Sequence, residues 1–561
     1  MRLEVLSSLA LDHVDQTFVI QERPGNGALD LFVDISTDFH LADVDDGIEL
    51  RGEYGSVHYG RACVRHADGS KVALATSVLG QGIQIHIGAE ILAKETFPLV
   101  IDPVVSTYSV DLSVEDQVES DLSYDFTTDR HLIAYEEIFS ATDGDVFAQL
   151  RTANGLIFLS FYLDNSPENW RSPQTANLNV ADQFLCVAQA NNVSGSAGWV
   201  VRGRTITAGG TLGAKFNIST TDQAGDKVLP DVGGDPYLGT AYYCVTWQCN
   251  FNANDTDIHA RLVDSNSNLV GSSTLLIDNS GASLDSLPSI SKTNGQLGNS
   301  AAWTIVWHRS GTPNGFEVHA ARLRHDGVIL NPATTIVSSP YDDYYPRVST
   351  PLLDGRVLVV FARHFTDNDL FYALLTGTNV DATGNLTLLD SPQTQSQNQI
   401  EYSVDSDGSR FVVAYTENYG TSTFDYDVWA TVLAPFGAGV VVTEPHTLID
   451  YSSAQSTRTD IVSDWSCGGF GERFRITWDN TPMPGIQHNI YGADFVRPRG
   501  GTVKSVCAGD GSGTACPCGN SGFNGNGCAH SSNVNGANLA TSGQSQTGLY
   551  GKRPVRNVIA S

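Results

Sequence analysis

The hydrophobic pattern between about residues 115 and 500 repeats in short blocks. In six of the seven copies an apolar run leads into a large aromatic residue, as in "WTIVWHR", where Trp307 is the aromatic. Such runs, rich in β-branched and aromatic residues, are typical of buried strands. The aromatic column comprises Tyr135, Trp247, Trp307, Phe361, Tyr415 and Trp478, and a weaker copy, "FLCVAQA", lies between the first two.

A second column follows the aromatic one and is mostly acidic. Its members are Asp145, Trp199, Asp257, Glu317, Asp369, Asp427 and His488. A third column, in "LPDV", "LPSI" and "YPRV", places prolines 58 residues apart at Pro230, Pro288 and Pro346. The columns define seven copies, spaced 52 to 63 residues apart, each with about four strand-like segments.

Four short strands per repeat are typical of a propeller blade. One blade cannot cover both of its apolar faces, so neighbouring blades stack and the ring closes. An array of β-sandwich domains is the alternative, but a sandwich needs roughly 100 residues per unit. The repeats therefore predict a seven-bladed β-propeller over residues 105–499, and "STYSVD", just before the first copy, is a candidate strand of the ring.

The two ends of the chain have a different character from the repeats. Residues 1–104 read as short strands with a hairpin at "HADGS" and predict a small N-terminal all-β domain. Residues 500–561 form a Cys- and Gly-rich tail that we expect to be mostly irregular and truncated. The predicted fold class is thus all-β, with an N-terminal β domain, a propeller and a stapled tail.

The tail contains four cysteines in "CAGDGSGTACPCGNSGFNGNGC", namely Cys507, Cys516, Cys518 and Cys528. Their spacing lacks the paired knuckles of a zinc ribbon, whereas two disulfides would hold a segment that has so few apolar residues. Metal binding and free thiols remain the alternatives. We predict two disulfides and an oxidising compartment. Nine cysteines is an odd number, so at least one thiol stays free or pairs between chains.

Charge and hydropathy limit the partners. The chain has 62 acidic and 32 basic residues, a formal net charge of -30. Such a surface repels nucleic acid and anionic lipid, and no apolar run is long enough to insert into a membrane. The start, "MRLEVLSSLALDHVD", does not read as a signal peptide. Either the true start lies upstream, or export does not use that route.

Two sets of residues are candidates for binding. The residue two positions past each aromatic lies on the same strand face, so the set should share one rim of the ring. Arg309 and Arg363 on that rim could hold a carboxylate or sulfate of a glycan, although solvated strand ends are the plainer interpretation. The acidic members Glu137 and Glu417 are candidate ligand-binding residues beside them.

The stretch "SVDSDGSRF" supplies the metal candidates. Asp405 and Asp407 place two carboxylates next to Gly408, as a Ca²⁺ loop would begin, but no further ligands follow. An ordinary Asp-Gly hairpin is the simpler interpretation. The sequence requires no cofactor, and Ca²⁺ is the one cation that we name as a candidate.

Three stretches resemble the modules of large secreted bacterial repeat proteins. "HADGSKVALA" with "FPLVIDPVVST" is similar to their SBBP-type N-terminal β domain, the repeats resemble bacterial surface propellers, and the tail resembles a Cys-rich linker. The resemblance implies an extracellular or cell-surface location and an adhesive or structural role. We expect a non-enzymatic propeller that binds a glycan or protein partner, in an oligomeric state left open. A carbohydrate-active enzyme, a glycosidase or lyase, is the alternative, although no catalytic motif is found.

Overall fold

The computed structural model describes residues 3–496 apart from residues 10–13, 21–22, 24–26, 35–39, 45–46, 53–54, 61, 66–70, 81, 95–96, 98, 104–106, 153–154, 222–223, 236–240, 282, 296–300, 366–367, 376–386, 389–397, 419–425, 437–438, 451–454, 465–472 and 482–486. The predicted tail disulfides therefore lie outside the described residues. Four cysteines within them, Cys63, Cys186, Cys244 and Cys249, are buried.

The described residues of the N-terminal region form three small sheets and one short helix. The elements are β1 (Leu3–Leu9), β2 (Val14–Ile20), β3 (Leu29–Asp34), β4 (His40–Val44), β5 (Gly47–Gly52), β6 (Gly55–Gly60), β7 (Ala62–Arg65), β8 (Lys71–Ala73), β9 (Ala75–Leu79), β10 (Gly82–Ile87), α1 (Ala89–Lys94) and β11 (Leu99–Pro103). The sheets have the strand orders β1-β2-β11-β7-β8, β3-β10-β9 and β4-β5-β6.

These strands bury their alternate apolar residues in a core of their own. The core contains Ile20, Ile83, Ile85 and Ile101, and Leu92 of α1 packs into it. Among the described helices none is long and apolar enough to span a bilayer.

Seven four-stranded blades follow. They contain β12 (Thr107–Asp111), β13 (Asp116–Asp125), β14 (Arg130–Ser140), β15 (Asp143–Thr152), β16 (Ile157–Asp164), β17 (Asn169–Leu178), β18 (Gln183–Asn191), β19 (Val200–Thr207), β20 (Phe216–Asn217), β21 (Asp226–Gly233), β22 (Tyr243–Asn252), β23 (Asp255–Val263), β24 (Leu269–Asp278), β25 (Leu284–Ile290), β26 (Ala302–Thr312), β27 (Gly315–Arg324), β28 (Ile329–Val337), β29 (Asp342–Val348), β30 (Val357–His364), β31 (Asn368–Leu375), β32 (Thr387–Leu388), β33 (Gln399–Ser406), β34 (Phe411–Asn418), β35 (Tyr426–Phe436), β36 (Gly439–Asp450), β37 (Gln455–Ser463), β38 (Arg473–Thr481) and β39 (Asn489–Val496).

Each blade is an antiparallel meander whose first strand is innermost. Blade 1 has the order β13-β14-β15-β16, and blades 2 to 6 repeat this order from β17 to β36. Blade 7 has only three strands from its own segment, and β12 completes it by pairing with β39, with Thr107 opposite Ala493. The first strand of the ring thus closes the last blade, and the predicted fold class is confirmed.

The aromatic column packs between blades, as the repeat predicts. All six aromatic residues are at most 2% exposed. Clusters combine neighbouring blades, since Trp307 of blade 4 packs with Cys244 and Leu262 of blade 3. In blade 2 the weak copy places Ala188 in this column, and the indole of Trp170 is buried in the same cluster.

Candidate functional site

A β-bulge interrupts the innermost strand of every blade. In blade 1 the register passes from Val118 opposite Glu136 to Asp121 opposite Ala134, so Glu119 and the following serine together oppose the aromatic Tyr135. The same shift occurs in the other six blades. The first bulge residue has a positive φ between 50° and 55° in all seven, namely Glu119, Ser172, Leu229, Leu287, Tyr345, Glu401 and Arg458.

These seven residues form one ring around the channel, which we call the mouth ring. The innermost strands surround the axis, and each bulge lies in the half of the channel where those strands begin. The seven residues are half-buried or exposed, whereas the residue after each of them is buried. In blades 2 to 5 that buried neighbour is a proline, Pro173, Pro230, Pro288 or Pro346, which explains the proline column.

The preceding blade holds the bulge in this left-handed conformation, which costs a non-glycine residue about 1–3 kcal/mol. In blades 1 to 5 the backbone N–H of the bulge residue donates to the side chain that follows the aromatic column residue of the preceding blade. The four shortest of these bonds are Leu229 N to Gln189 Oε1 at 2.8 Å, Leu287 N to Gln248 Oε1 at 3.1 Å, Ser172 N to Glu136 Oε2 at 3.1 Å and Glu119 N to Asp479 Oδ2 at 3.1 Å.

One side of the mouth ring is charged. Glu401, Arg458 and Glu119 come from blades 6, 7 and 1 and are therefore consecutive in the ring. Arg458 Nη2 lies 3.8 Å from Glu119 Oε1, and its Nη1 lies 3.3 Å from Asp479 Oδ2. Burial opposes the charge of Arg458, but Asp479, Glu119 and Glu401 together raise its pKa.

An aromatic residue stands next to the charged side. Tyr345 of blade 5 is 49% exposed, and its ring lies 4.6 Å from that of Tyr344 and 5.6 Å from that of His308. Leu287 and Leu229 continue the ring beyond it and are half-buried. The mouth ring thus presents apolar and aromatic surface on one side and two carboxylates with a guanidinium on the other.

Deeper in the channel, Lys292 of blade 4 reaches across the axis to other blades. Its Nζ donates to Asp121 and lies 3.8 Å from Asp460 Oδ2. Burial lowers the pKa of Lys292, but the attraction of Asp121, Asp460 and Asp231 outweighs burial and raises the pKa above its ordinary value. The ammonium group therefore stays charged. Burial and the neighbouring Asp460 raise the pKa of Asp121 well above its ordinary value.

The same carboxylates bond the backbones of adjacent blades. Asp460 of blade 7 accepts from the N–H of Leu122 in blade 1 at 3.1 Å, and Asp231 of blade 3 accepts from Ile290 in blade 4 at 2.8 Å. Asp121 likewise accepts from the next blade, at Thr175. The channel carboxylates therefore connect the blades and are not free in an open cleft.

The predicted rim arginines are also paired inside their blades. Arg309 Nε lies 2.8 Å from Asp285 Oδ1, and Arg363 Nε lies 2.6 Å from Asp343 Oδ1. In each pair the aspartate lies on the first strand of the blade and the arginine lies directly opposite it on the second strand. Each guanidinium is thus paired with an aspartate of its own blade, and Arg363, at 7% exposure, is not a solvated strand end. Their role in ligand binding stays a prediction.

The two glutamates of that predicted rim are buried as well. Glu137 and Glu417 are both 3% exposed. Glu417 Oε2 accepts from Gln399 Nε2 at 3.0 Å, and burial raises the pKa of Glu137. The structure therefore does not bring the four predicted residues together on an accessible rim, and glycan binding by these glutamates stays a prediction.

The predicted Ca²⁺ ligands make other contacts. Asp405 accepts backbone N–H groups of Thr350 at 3.1 Å and Ser463 at 2.8 Å, which connects blades 5, 6 and 7. Asp407 accepts from Arg410 Nε at 2.7 Å within its own turn. Within the described ranges, no group of three or more His, Cys, Asp or Glu side chains could hold a metal ion. Binding of Ca²⁺ stays a prediction.

The mouth ring is the site that the sequence analysis missed. Its signal was present, since each ring residue directly precedes the proline column, as Leu229 precedes Pro230 and Tyr345 precedes Pro346. In blades 1, 6 and 7 the position of the proline is occupied by Ser120, Tyr402 and Thr459. The proline column therefore does not mark the three charged members of the mouth ring, which directly precede these residues.

Comparisons with known proteins give a fold likeness only. No family model and no curated protein matches the chain. The polysaccharide lyase Uly1 is 7% identical with a TM-score of 0.44, covering 70% of this chain and 92% of that one. The β-propeller domain of the Trilobed protease from Pyrococcus furiosus is 8% identical (TM-score 0.39), covering 69% of this chain and 99% of that chain.

A third similar structure is the α-L-arabinanase of Penicillium chrysogenum complexed with arabinobiose. It is 12% identical with a TM-score of 0.38, covering 57% of this chain and 92% of that one. The strand orders of the blades themselves show that the chain is an all-β protein with a propeller. The resemblance to secreted bacterial repeat proteins has no family match and stays an interpretation of the residues.

Proposed function

We propose that the protein binds a carbohydrate at the mouth ring and does not cleave it. The observation that carries the proposal is the exposed aromatic side chain of Tyr345, which stands in the mouth ring beside the charged residues Glu401, Arg458 and Glu119. A sugar ring has C–H faces that pack on an aromatic side chain and hydroxyl groups that donate to carboxylates. A concave site with apolar walls and a few polar groups suits a small ligand or chain end.

The charge of the ring favours a neutral glycan. Two carboxylates flank one guanidinium, and the chain as a whole carries a net charge of -30. An acidic polysaccharide would be repelled at this mouth. Hydroxyl groups, in contrast, can both donate to the glutamates and accept from Arg458.

Binding is favoured over cleavage because of the residue between the two glutamates. Glycoside hydrolysis needs one carboxyl group that donates a proton and one carboxylate on the other side of the bond. In the ring, Arg458 stands between Glu401 and Glu119, and an arginine cannot act as a general acid. A carbohydrate-active enzyme with Glu119 and Glu401 as its carboxyl pair is the second candidate.

An extracellular or cell-surface location belongs to the proposal. Its support is the resemblance of the sequence to secreted repeat proteins and the four tail cysteines, whose oxidation needs an oxidising compartment. A free glycan or the glycan of another cell would be the partner there.

The test is a screen of neutral and acidic glycans, run with and without Ca²⁺, followed by Tyr345→Ala. Loss of the aromatic platform should weaken binding of the selected glycan at least about tenfold. Tyr341→Ala is the matched control, because Tyr341 is 43% exposed but lies outside the mouth ring. Equal affinity of the two variants would contradict the proposal, as would the failure of every glycan to bind.

Catalysis is checked on the same glycans by the release of reducing or unsaturated ends. We expect none from the wild type. If the wild type releases product and both Glu119→Gln and Glu401→Gln abolish this release, the protein is an enzyme and the binding proposal is wrong.

A further inference from the structure

The outer strand of blade 1 is unusually apolar for a solvent-exposed edge. The segment "LIFLSFY", which begins just before β16, presents large side chains to solvent. Their exposed fractions are 51% for Leu156, 55% for Ile157, 41% for Phe158, 40% for Leu159 and 37% for Tyr162.

This strand is also an open edge. Within the described residues β15 is the only strand that pairs with β16, so the other side of β16 is an edge without a strand partner, where Leu163 O accepts from Arg204 Nη1 at 2.7 Å. Natural proteins usually protect such edges with proline, charge or polar residues. The outer strand of blade 4 contains Pro332 and two threonines, and that of blade 3 contains Ser272 and Ser273, whereas β16 has Ser160 as its one polar residue before Asp164 apart from Tyr162.

The charge distribution selects the occupant. No charged residue occurs from residue 152 to residue 163, in a chain whose net charge is -30. A positive charge borders this strip, since the guanidinium of Arg130 lies 3.7 Å over the ring of Phe158. Two copies of so acidic a chain repel each other over most of their surface, and this strip is where they can approach without opposing carboxylates.

We propose that a second copy of this chain docks here, with β16 pairing antiparallel to β16 about a two-fold axis. In such an isologous contact each apolar side chain meets an apolar side chain of the same strip. The backbone groups of both edges then find hydrogen-bond partners at the same time. Blade 1 of one copy and blade 1 of the other become one continuous sheet. This inference is independent of the mouth ring, which lies at the centre of the propeller.

The experiment measures the oligomeric state of the full chain by sedimentation over a range of concentrations. Wild type is expected to be a dimer, and Ile157→Lys should raise the dimer dissociation constant at least about tenfold by placing two ammonium groups in the contact. Ile329→Lys is the matched control, because Ile329 begins the outer strand of blade 4 and is 37% exposed. It should dimerise as the wild type does.

Three results would overturn the proposal: a monomeric wild type at all concentrations, a dimer that survives Ile157→Lys, or equal weakening by Ile329→Lys. Circular dichroism establishes that the variants are folded. If Ile157→Lys fails to fold, Ile157→Gln provides the milder change, and a wild-type dissociation constant for it would count equally against the contact.

Discussion

At the scale of single residues, the channel depends on side chains that bond to more than one blade. Lys292 of blade 4 contacts Asp121 of blade 1 and Asp460 of blade 7, and each of those aspartates also accepts a backbone N–H from the following blade. A buried ion pair contributes little by itself compared with apolar packing, but removal of one partner is costly. The cluster therefore fixes the spacing of the blades more than it adds stability.

The replacement Lys292→Met tests this role. It leaves Asp121 and Asp460 close together without a cation, so we expect the free energy of unfolding to fall by about 3–5 kcal/mol at pH 8. Burial and Asp460 raise the pKa of Asp121, whereas Lys292 lowers it. Without Lys292 this pKa rises further, so the folded variant binds a proton at a higher pH than the folded wild type does, while the unfolded chain still does not. The deficit relative to wild type should therefore shrink between pH 8 and pH 5.

Denaturant titrations at the two pH values measure that deficit. Arg324→Met is the control, since Arg324 pairs with Asp326 at the surface and its loss should leave stability near that of the wild type. A Lys292→Met deficit that grows towards pH 5 would show that the aspartates do not carry the effect.

At the scale of the element, every innermost strand is bulged, and in blades 1 to 4 a side-chain oxygen of the preceding blade anchors the bulge. The side chain after the aromatic supplies the anchor, and its oxygen accepts the N–H of the next bulge. Acceptor residues recur at this position, with Glu136, Gln189, Gln248 and Asp479 in blades 1, 2, 3 and 7. The bulge in turn presents one residue per blade to the mouth of the channel.

Gln248→Ala removes one anchor. The N–H of Leu287 would lose its acceptor in a partly buried position, which should cost about 1–3 kcal/mol of unfolding free energy. Gln248→Glu keeps an acceptor, as Glu136 does in blade 1, and should cost less. The measurement is thermal or denaturant unfolding of the three proteins, and equal losses for the two variants would argue against the anchor.

The repeat columns were readable in the sequence because burial imposes them. Trp307 and its counterparts must be large and apolar to pack between blades, so they stand out in every copy. The pairing of Arg309 with Asp285 was not readable, because it depends on the register of two strands that a bulge shifts. The mouth ring was missed for the opposite reason, since a solvent-facing position accepts Glu, Leu, Tyr or Arg and shows no common type.

At the scale of the whole molecule, the ring is closed by a strand that lies outside the seven copies. The β12 strand precedes blade 1 in the chain and completes blade 7 beside β39. Val110 of β12 is 4% exposed and packs with Leu122, Tyr135, Val462 and Ile490, which belong to blades 1 and 7. The first and last blades therefore share one core, and the stability of the propeller should depend on it.

Val110→Asp places an unpaired carboxylate in that shared core. We expect a loss of at least about 3 kcal/mol of unfolding free energy, because a buried charge without a partner is among the most damaging single changes. Hydrogen exchange should rise first in β12, β39 and β13, whose pairing and packing depend on the closure. Val114→Asp is the matched control, since Val114 is 83% exposed and accepts the same change in solvent. If Val110→Asp unfolds like Val114→Asp, or if exchange rises equally in all seven blades, β12 does not hold the ring closed.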